Sequence, residues 1–197
     1  MKNKIFLDLG THFGQGLNQF IHMLNIDNFW QIYSFEANPV TFNLFNGFKK
    51  YENTKLNIKF LNKAISAKNG RTIINVETPP NEGETGMGSS IMELTEWNPW
   101  NGALGKNFKT KYEIDCIDFS EFVNNFNDAE IFCKMDIEGA EFEVLEKMIL
   151  NKSIFKISKI WIEFHDHFFV DKVLFYNRKL KIINYFINHN INYELWG

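Results

Sequence analysis

Two cysteines, four prolines and no long apolar run: each scarcity in this 197-residue chain closes off a class of protein. Cys116 and Cys133 cannot make a disulfide framework. Both lie in apolar, strand-like runs where a free buried thiol is ordinary, so a reducing compartment is expected. No stretch approaches the ~18 apolar residues of a membrane span. Only three consecutive apolar residues precede Asp8, too few for a signal-peptide core. A soluble, cytoplasmic protein is expected. Charge of one sign is also missing. The formal net charge of -3 gives no basic excess, so a nucleic-acid partner is not expected.

What remains describes one globular domain over residues 1–197. A chain of this size hides roughly 70% of its unfolded surface. Aromatic residues make up 16%, with Phe at 21, enough rings to dominate a core. Apolar spacing predicts strands over Ile5–Leu9, Trp30–Phe35, Leu56–Leu61, Arg71–Val76, Tyr112–Ile117, Glu130–Met135, Ile157–Phe164 and Tyr193–Trp196. It predicts helices over Gln15–Leu24, Pro39 to about Lys49, Phe119–Phe126, Glu141–Leu150 and Asp171–Asn188. The β-α-β-α-β opening implies a parallel sheet with right-handed crossovers, an α/β fold. From Glu77 to Thr110 the pattern breaks down in a glycine-rich stretch holding three of the four prolines. A loop this long inside a compact domain is usually functional or disordered, and 77–110 is expected to be an acceptor-binding lid or insertion.

The strongest local signal is Asp8-Leu9-Gly10-Thr11-His12-Phe13-Gly14-Gln15-Gly16, between a strand and a helix. Glycines there let the backbone approach a ligand, and the helix start offers free N–H groups. The spacing is not the dinucleotide G-x-G-x-x-G, and no Gly-Lys-Ser/Thr marks a P-loop. Asp8 would repel a pyrophosphate but suits the ammonium of an amino-acid cofactor. Glu36 ends the next strand, where a carboxylate can accept both hydroxyls of an unphosphorylated ribose.

Further segments carry a resemblance: SFEANP (34–39), NKAIS (62–66), GSS (88–90), IDCIDF (114–119), KMDIEGAEFEVLE (134–146) and IEFH (162–165), together with DLGTHFGQG (8–16). In this order the chain resembles the FkbM family of S-adenosylmethionine-dependent methyltransferases. His12-Phe13-Gly14 departs from that family's usual Asn-Ile-Gly, which leaves His12 without an inherited role. The resemblance implies a Rossmann-like class I fold: a seven-stranded, mostly parallel sheet, last strand antiparallel, helices on both faces and an inserted loop or hairpin. It implies S-adenosylmethionine across the strand ends, against Asp8, Gly10, Thr11, Gly14, Glu36, Ala37 and Asp136, with Asn62 to Ala64 near the adenine.

Methyl transfer to a hydroxyl needs a positioned acceptor and a route for its proton. Alternation in the strand ending Lys134-Met135-Asp136 puts Lys134 and Asp136 on one face. The next strand ends Glu163-Phe164-His165, and His is the natural base near neutrality. Asp136, His165 and Lys134 are therefore the catalytic candidates. Ser89, Ser90, Trp97, Trp100, Glu138 and Glu163 are the acceptor-binding candidates, the tryptophans as stacking surfaces for a sugar. Glu138 and Glu141 read equally as helix-start carboxylates. No resident metal is expected. Were Mg²⁺ or Mn²⁺ present, Asp136, Glu163 and His165 would hold it. The expected activity is O-methylation of a sugar hydroxyl on a small molecule or glycan. The alternatives are an RNA cap or ribose 2′-hydroxyl acceptor, favoured by a basic groove, and a non-catalytic cofactor-binding subunit.

Overall fold

The structure, a computed structural model, describes residues 2–45, 47–78, 88–93 and 107–196. β1 (Asn3–Leu9) buries its last five residues and runs into the glycine turn. α1 (Gln15–Met23) follows, with Leu17 and Phe20 turned into the core. β2 (Trp30–Phe35), α2 (Pro39–Phe45), α3 (Gly47–Tyr51) and β3 (Asn57–Leu61) come next. Pro39 stands at the first helical position, where its missing N–H has no partner to lose. Both described stretches of the helix predicted from Pro39 to about Lys49 are helical. The three residues of β4 (Ala64–Ser66) are too few to leave a periodic signal in the sequence. β5 (Gly70–Thr78), β6 (Asn107–Asp118), α4 (Phe119–Asn124) and β7 (Ala129–Met135) lead to α5 (Glu141–Leu150). β8 (Ile157–Ile162), α6 (Lys172–Asn188) and β9 (Tyr193–Leu195) complete the order.

Among the described residues the main sheet has six strands in the order β3-β2-β1-β7-β8-β9, every neighbouring pair parallel. This is the mostly parallel α/β architecture expected, with two differences. β5 and β6 are not in the main sheet; they pair antiparallel and, with β4, make a separate three-stranded sheet. The last strand, expected antiparallel, pairs parallel with β8. The 17-residue α6 explains this, since at 1.5 Å per residue it runs ~25 Å and carries the chain back across the sheet. A parallel neighbour requires such a crossover.

Side-chain alternation sorts the sheet into two faces. Ile5, Leu7, Leu9, Ile131, Cys133, Met135, Ile160 and Ile162 pack with residues of α4, α5 and α6, including Phe119, Phe142, Leu145 and Phe186. Phe6, Ile32 and Trp161 pack on the other face with Leu17 and Phe20 of α1. Asp8 and Lys134 follow Phe6 and Phe132 onto that second face. The chain order reverses between β1 and β7, the switch point where open α/β sheets bind ligands. Beyond the strands, Glu36 N–H bonds to Leu61 O (3.1 Å), Asp136 N–H to Leu9 O (3.1 Å) and Glu163 N–H to Met135 O (2.9 Å). These bonds join the carboxyl-terminal ends of β2 and β3, and those of β1, β7 and β8. Among the described residues no helix is long and apolar enough to cross a membrane.

Candidate active site

The glycine turn is forced by what lies behind it. Gly10 has φ +78°, and a Cβ there would sit 1.8 Å from the carbonyl oxygen of Asp136. Gly14, at φ +77°, leaves no room for a Cβ against the ring of Phe45. Between them His12 is also left-handed, at φ 50°, and its N–H donates to Glu36 Oε2 at 2.7 Å.

Two clefts open at these strand ends and share Gly10, His12, Asp136 and Glu138. The first, at the end of β2, has a cavity volume of about 70 Å³. Glu36 and Ala37 line it with an apolar wall that includes Ala64, Ile65, Ile74 and Ile91. Glu36 is 8% exposed and accepts Asn38 N–H on its other oxygen at 2.8 Å. Burial raises its pKa to about 7, against those two hydrogen bonds. The second cleft has a cavity volume of about 440 Å³ and takes in Lys134, Glu163, His165, Phe168 and Trp196.

Several expected site residues make contacts within the protein. Asp8, expected at the methionine end of a cofactor, is fully enclosed. Thr11 and Ser34 hydroxyls both donate to its Oδ2, the latter at 3.1 Å, and Lys134 Nζ lies 3.8 Å from Oδ1. Burial raises its pKa despite that ammonium. Thr11 spends its hydroxyl on Asp8, yet it borders the second cleft. Lys134, expected to be catalytic, is 2% exposed. Its Nζ donates to Leu9 O (3.3 Å), Gly10 O (2.5 Å) and Asp136 Oδ2 (3.1 Å), so it clamps the turn to β7. Burial opposes its charge, but Asp136 and Asp8 outweigh burial and raise its pKa. Asn62 donates to the carbonyls of Glu36 (2.8 Å) and Ala37 (3.3 Å), holding that backbone from below. Ser89 borders the first cleft, not the second, and accepts from Asn38 Nδ2 at 3.2 Å. Ser90 is buried; its hydroxyl donates to Glu138 O while its backbone pairs with Asn75. Trp97, Trp100 and most of the expected lid over 77–110 lie outside the described residues.

Asp136 and His165 do come together, with Nε2 3.8 Å from Oδ1. Glu138 Oε2 and Glu163 Oε1 stand 3.6 and 3.7 Å from the same nitrogen. Nδ1 meets Glu141 Oε1 at 3.0 Å. Glu141 is fully buried and also accepts Ile137 N–H (2.9 Å) and Gly139 N–H (3.0 Å). Burial would push the His165 pKa down. Glu141, then Glu138 and Asp136, outweigh it and raise the pKa to about 10. At that pKa the imidazole would be protonated near neutrality and would not act as the expected base. Burial raises the Glu138 carboxyl to about 8, although His165 pulls the other way. Ligand atoms of Asp136, Glu138 and His165 lie within 4.8 Å of one another, so the candidate metal set contains Glu138 in place of Glu163.

Residues 8–194 match the Methyltransferase FkbM domain. The chain belongs to the FkbM methyltransferase family. No curated protein matches it. Among solved structures it is similar to the crystal structure of methyltransferase FkbM from Methylobacillus flagellatus KT. That similarity has 18% identity and a TM-score of 0.45, over 80% of this chain and 32% of that one. The chain thus spans about a third of that protein's length. In this FkbM domain the cleft-lining residues given no role from the sequence include His12, which borders both clefts, Phe168 and Trp196. His12 sits inside the glycine motif, and its departure from the family pattern was the available signal. Glu141 looked like a helix-start carboxylate, and nothing local marks Phe168 or Trp196.

Proposed function

We propose that this FkbM domain is an S-adenosylmethionine-dependent O-methyltransferase acting on a sugar hydroxyl of a glycan or glycosylated metabolite. The joined clefts carry this reading: a ligand in the first is reached from the second across Gly10, His12, Asp136 and Glu138. The lining of the first cleft suits the adenosine part of the cofactor. Gly10 leaves space that a Cβ would fill, the isoleucines suit an adenine, and Glu36 keeps lone pairs for two ribose hydroxyls. When bound, S-adenosylmethionine supplies a methyl group on a cationic sulfonium. Glu36→Ala is expected to weaken S-adenosylhomocysteine binding by ~1.5–3 kcal/mol in calorimetry. An unchanged dissociation constant in a folded variant would count against the ribose role.

A hydroxyl acceptor must lose a proton, and an imidazolium cannot take it. In this reading Glu138 does. It borders both clefts, its Oε2 is buried without a hydrogen bond, and a pKa of about 8 lies near the working pH. His165 stays a fixed cation that steadies the carboxylates around it. Glu138→Gln is expected to lower turnover by ~10²–10⁴-fold with cofactor affinity nearly intact. Only the carboxylate accepts a proton, so the wild-type rate should climb with pH through about 8. A rate flat from pH 6 to 9 would contradict the assignment. The 4.8 Å cluster favours a second reading, in which Mg²⁺ or Mn²⁺ on Asp136, Glu138 and His165 lowers the acceptor pKa. EDTA should then abolish turnover and either ion restore it; an EDTA-insensitive rate leaves Glu138 alone. An RNA ribose acceptor draws no support from a cleft lined by carboxylates.

A further inference from the structure

Among the described residues that line the second cleft, the carboxylates are more exposed than Lys134 and His165. Asp136, Glu138 and Glu163 are 23, 20 and 35% exposed, whereas Lys134 and His165 are 2 and 3% exposed. The two cations are also committed. Lys134 donates to two carbonyls and Asp136, and His165 Nδ1 faces Glu141. Carboxylates therefore form the surface an acceptor meets, with cations behind them. Facing this acidic wall are two rings. Trp196 follows β9, and its backbone N–H donates to Ile162 O at 2.9 Å. The Lys134 ammonium lies 5.0 Å from its ring centroid, and Phe20 packs edge-on at 5.8 Å. The indole is fixed before any ligand arrives, and a pre-ordered aromatic surface binds at little entropic cost. Phe168 stacks on His165 at 5.8 Å and lines the same space.

We infer that Trp196 and Phe168 seat the acceptor, and that it is a sugar ring which is neutral or carries a protonated amine. The inference rests on the O-methyltransferase reading above and specifies its substrate class. An apolar C–H face packs on the indole, while the hydroxyl edge turns to Asp136 and Glu138. A protonated amine on the ring pairs with Glu163, which borders the second cleft and not the first. A sugar phosphate or nucleotide would bring like charge against Asp136 and Glu163 and is rejected.

The test uses protein saturated with S-adenosylhomocysteine and the indole N–H resonance of Trp196, assigned by its loss in Trp196→Phe. Methyl glucosaminide and methyl glucoside should both shift this signal, the amine ~10-fold more tightly, and glucose 6-phosphate should not. In calorimetry, Trp196→Ala should weaken methyl glucosaminide ~10-fold and Trp196→Phe about 2-fold, both retaining S-adenosylhomocysteine affinity. A resonance unmoved by either glycoside, glucose 6-phosphate binding as tightly as the amine, or wild-type affinity in Trp196→Ala would each overturn the inference. Failure of wild-type protein to bind S-adenosylhomocysteine would overturn the methyltransferase reading instead.

Discussion

Lys134→Met is expected to cost about 3–5 kcal/mol of folding stability, because it removes one partner from a buried set of charges. The ammonium lies 3.1 Å from Asp136 and 3.8 Å from Asp8, and it bonds to the carbonyls of Leu9 and Gly10. Met fills similar volume, so packing around Gly16 and Trp196 is roughly kept while the charge goes. Asp8 then stands fully buried with no adjacent cation, and its Oδ1 already has no hydrogen bond. It must take up a proton to remain inside. Adding Asp8→Asn removes that need and should recover part of the loss. Urea denaturation of the two variants checks this. A single variant within ~1 kcal/mol of wild type, or a double variant no better than the single, would show that Lys134 is not the clamp.

Glu141→Gln should be nearly as costly, at about 3 kcal/mol or more, since hydrogen bonds to charged groups are worth ~1.5–3 kcal/mol each. Glu141 accepts from His165, Ile137 and Gly139, so one carboxylate ties β8, the loop after β7 and the start of α5 together. It is also the largest cause raising the His165 pKa. A histidine raised from 6.5 to about 10 stabilises the fold fully below pH ~6.5 and loses that contribution as pH rises through about 10. Asp136, Glu138, Glu141 and Glu163 face that ring, and His167 stacks beside it. Wild-type melting temperature should therefore fall between pH 7 and 10, and the fall should be shallower in Glu141→Gln. Parallel curves would detach Glu141 from the charge on His165.

What the sequence disclosed and what it withheld divide along one physical line. A short apolar run ending in Asp8-Leu9-Gly10 announces a strand and a tight turn, because both depend on neighbouring residues alone. Lys134, Met135 and Asp136 take the faces that alternation predicts. The state of a charged group, by contrast, depends on partners distant in the chain. Asp8 reads in the sequence as a ligand for a cofactor ammonium, and its contacts with Ser34 and Lys134 could not be read there because both lie on other strands. His165 looked like a base because Glu141, 24 positions away, gave no sign of reaching it. The direction of β9 was misjudged for a similar reason: it is decided by where α6 delivers the chain. Trp196 was passed over because only the assembled sheet brings its indole beside Lys134.

Strand order also sets a schedule. β1 lies between β2 and β7, so its second neighbour is synthesised long after its first. The bond from Lys134 to Gly10 spans 124 positions. At ~5–20 residues per second, roughly 6–25 s of synthesis separate the two partners. Through that interval one flank of β1 is an open edge, and the glycine turn waits without the ammonium that will pin it. A nascent chain stopped short of Ala129 carries most of the sequence for the first cleft but not the strand that closes it. Ligand capture on the ribosome must therefore come late, and a holding chaperone would find its natural target in the uncovered side of β1.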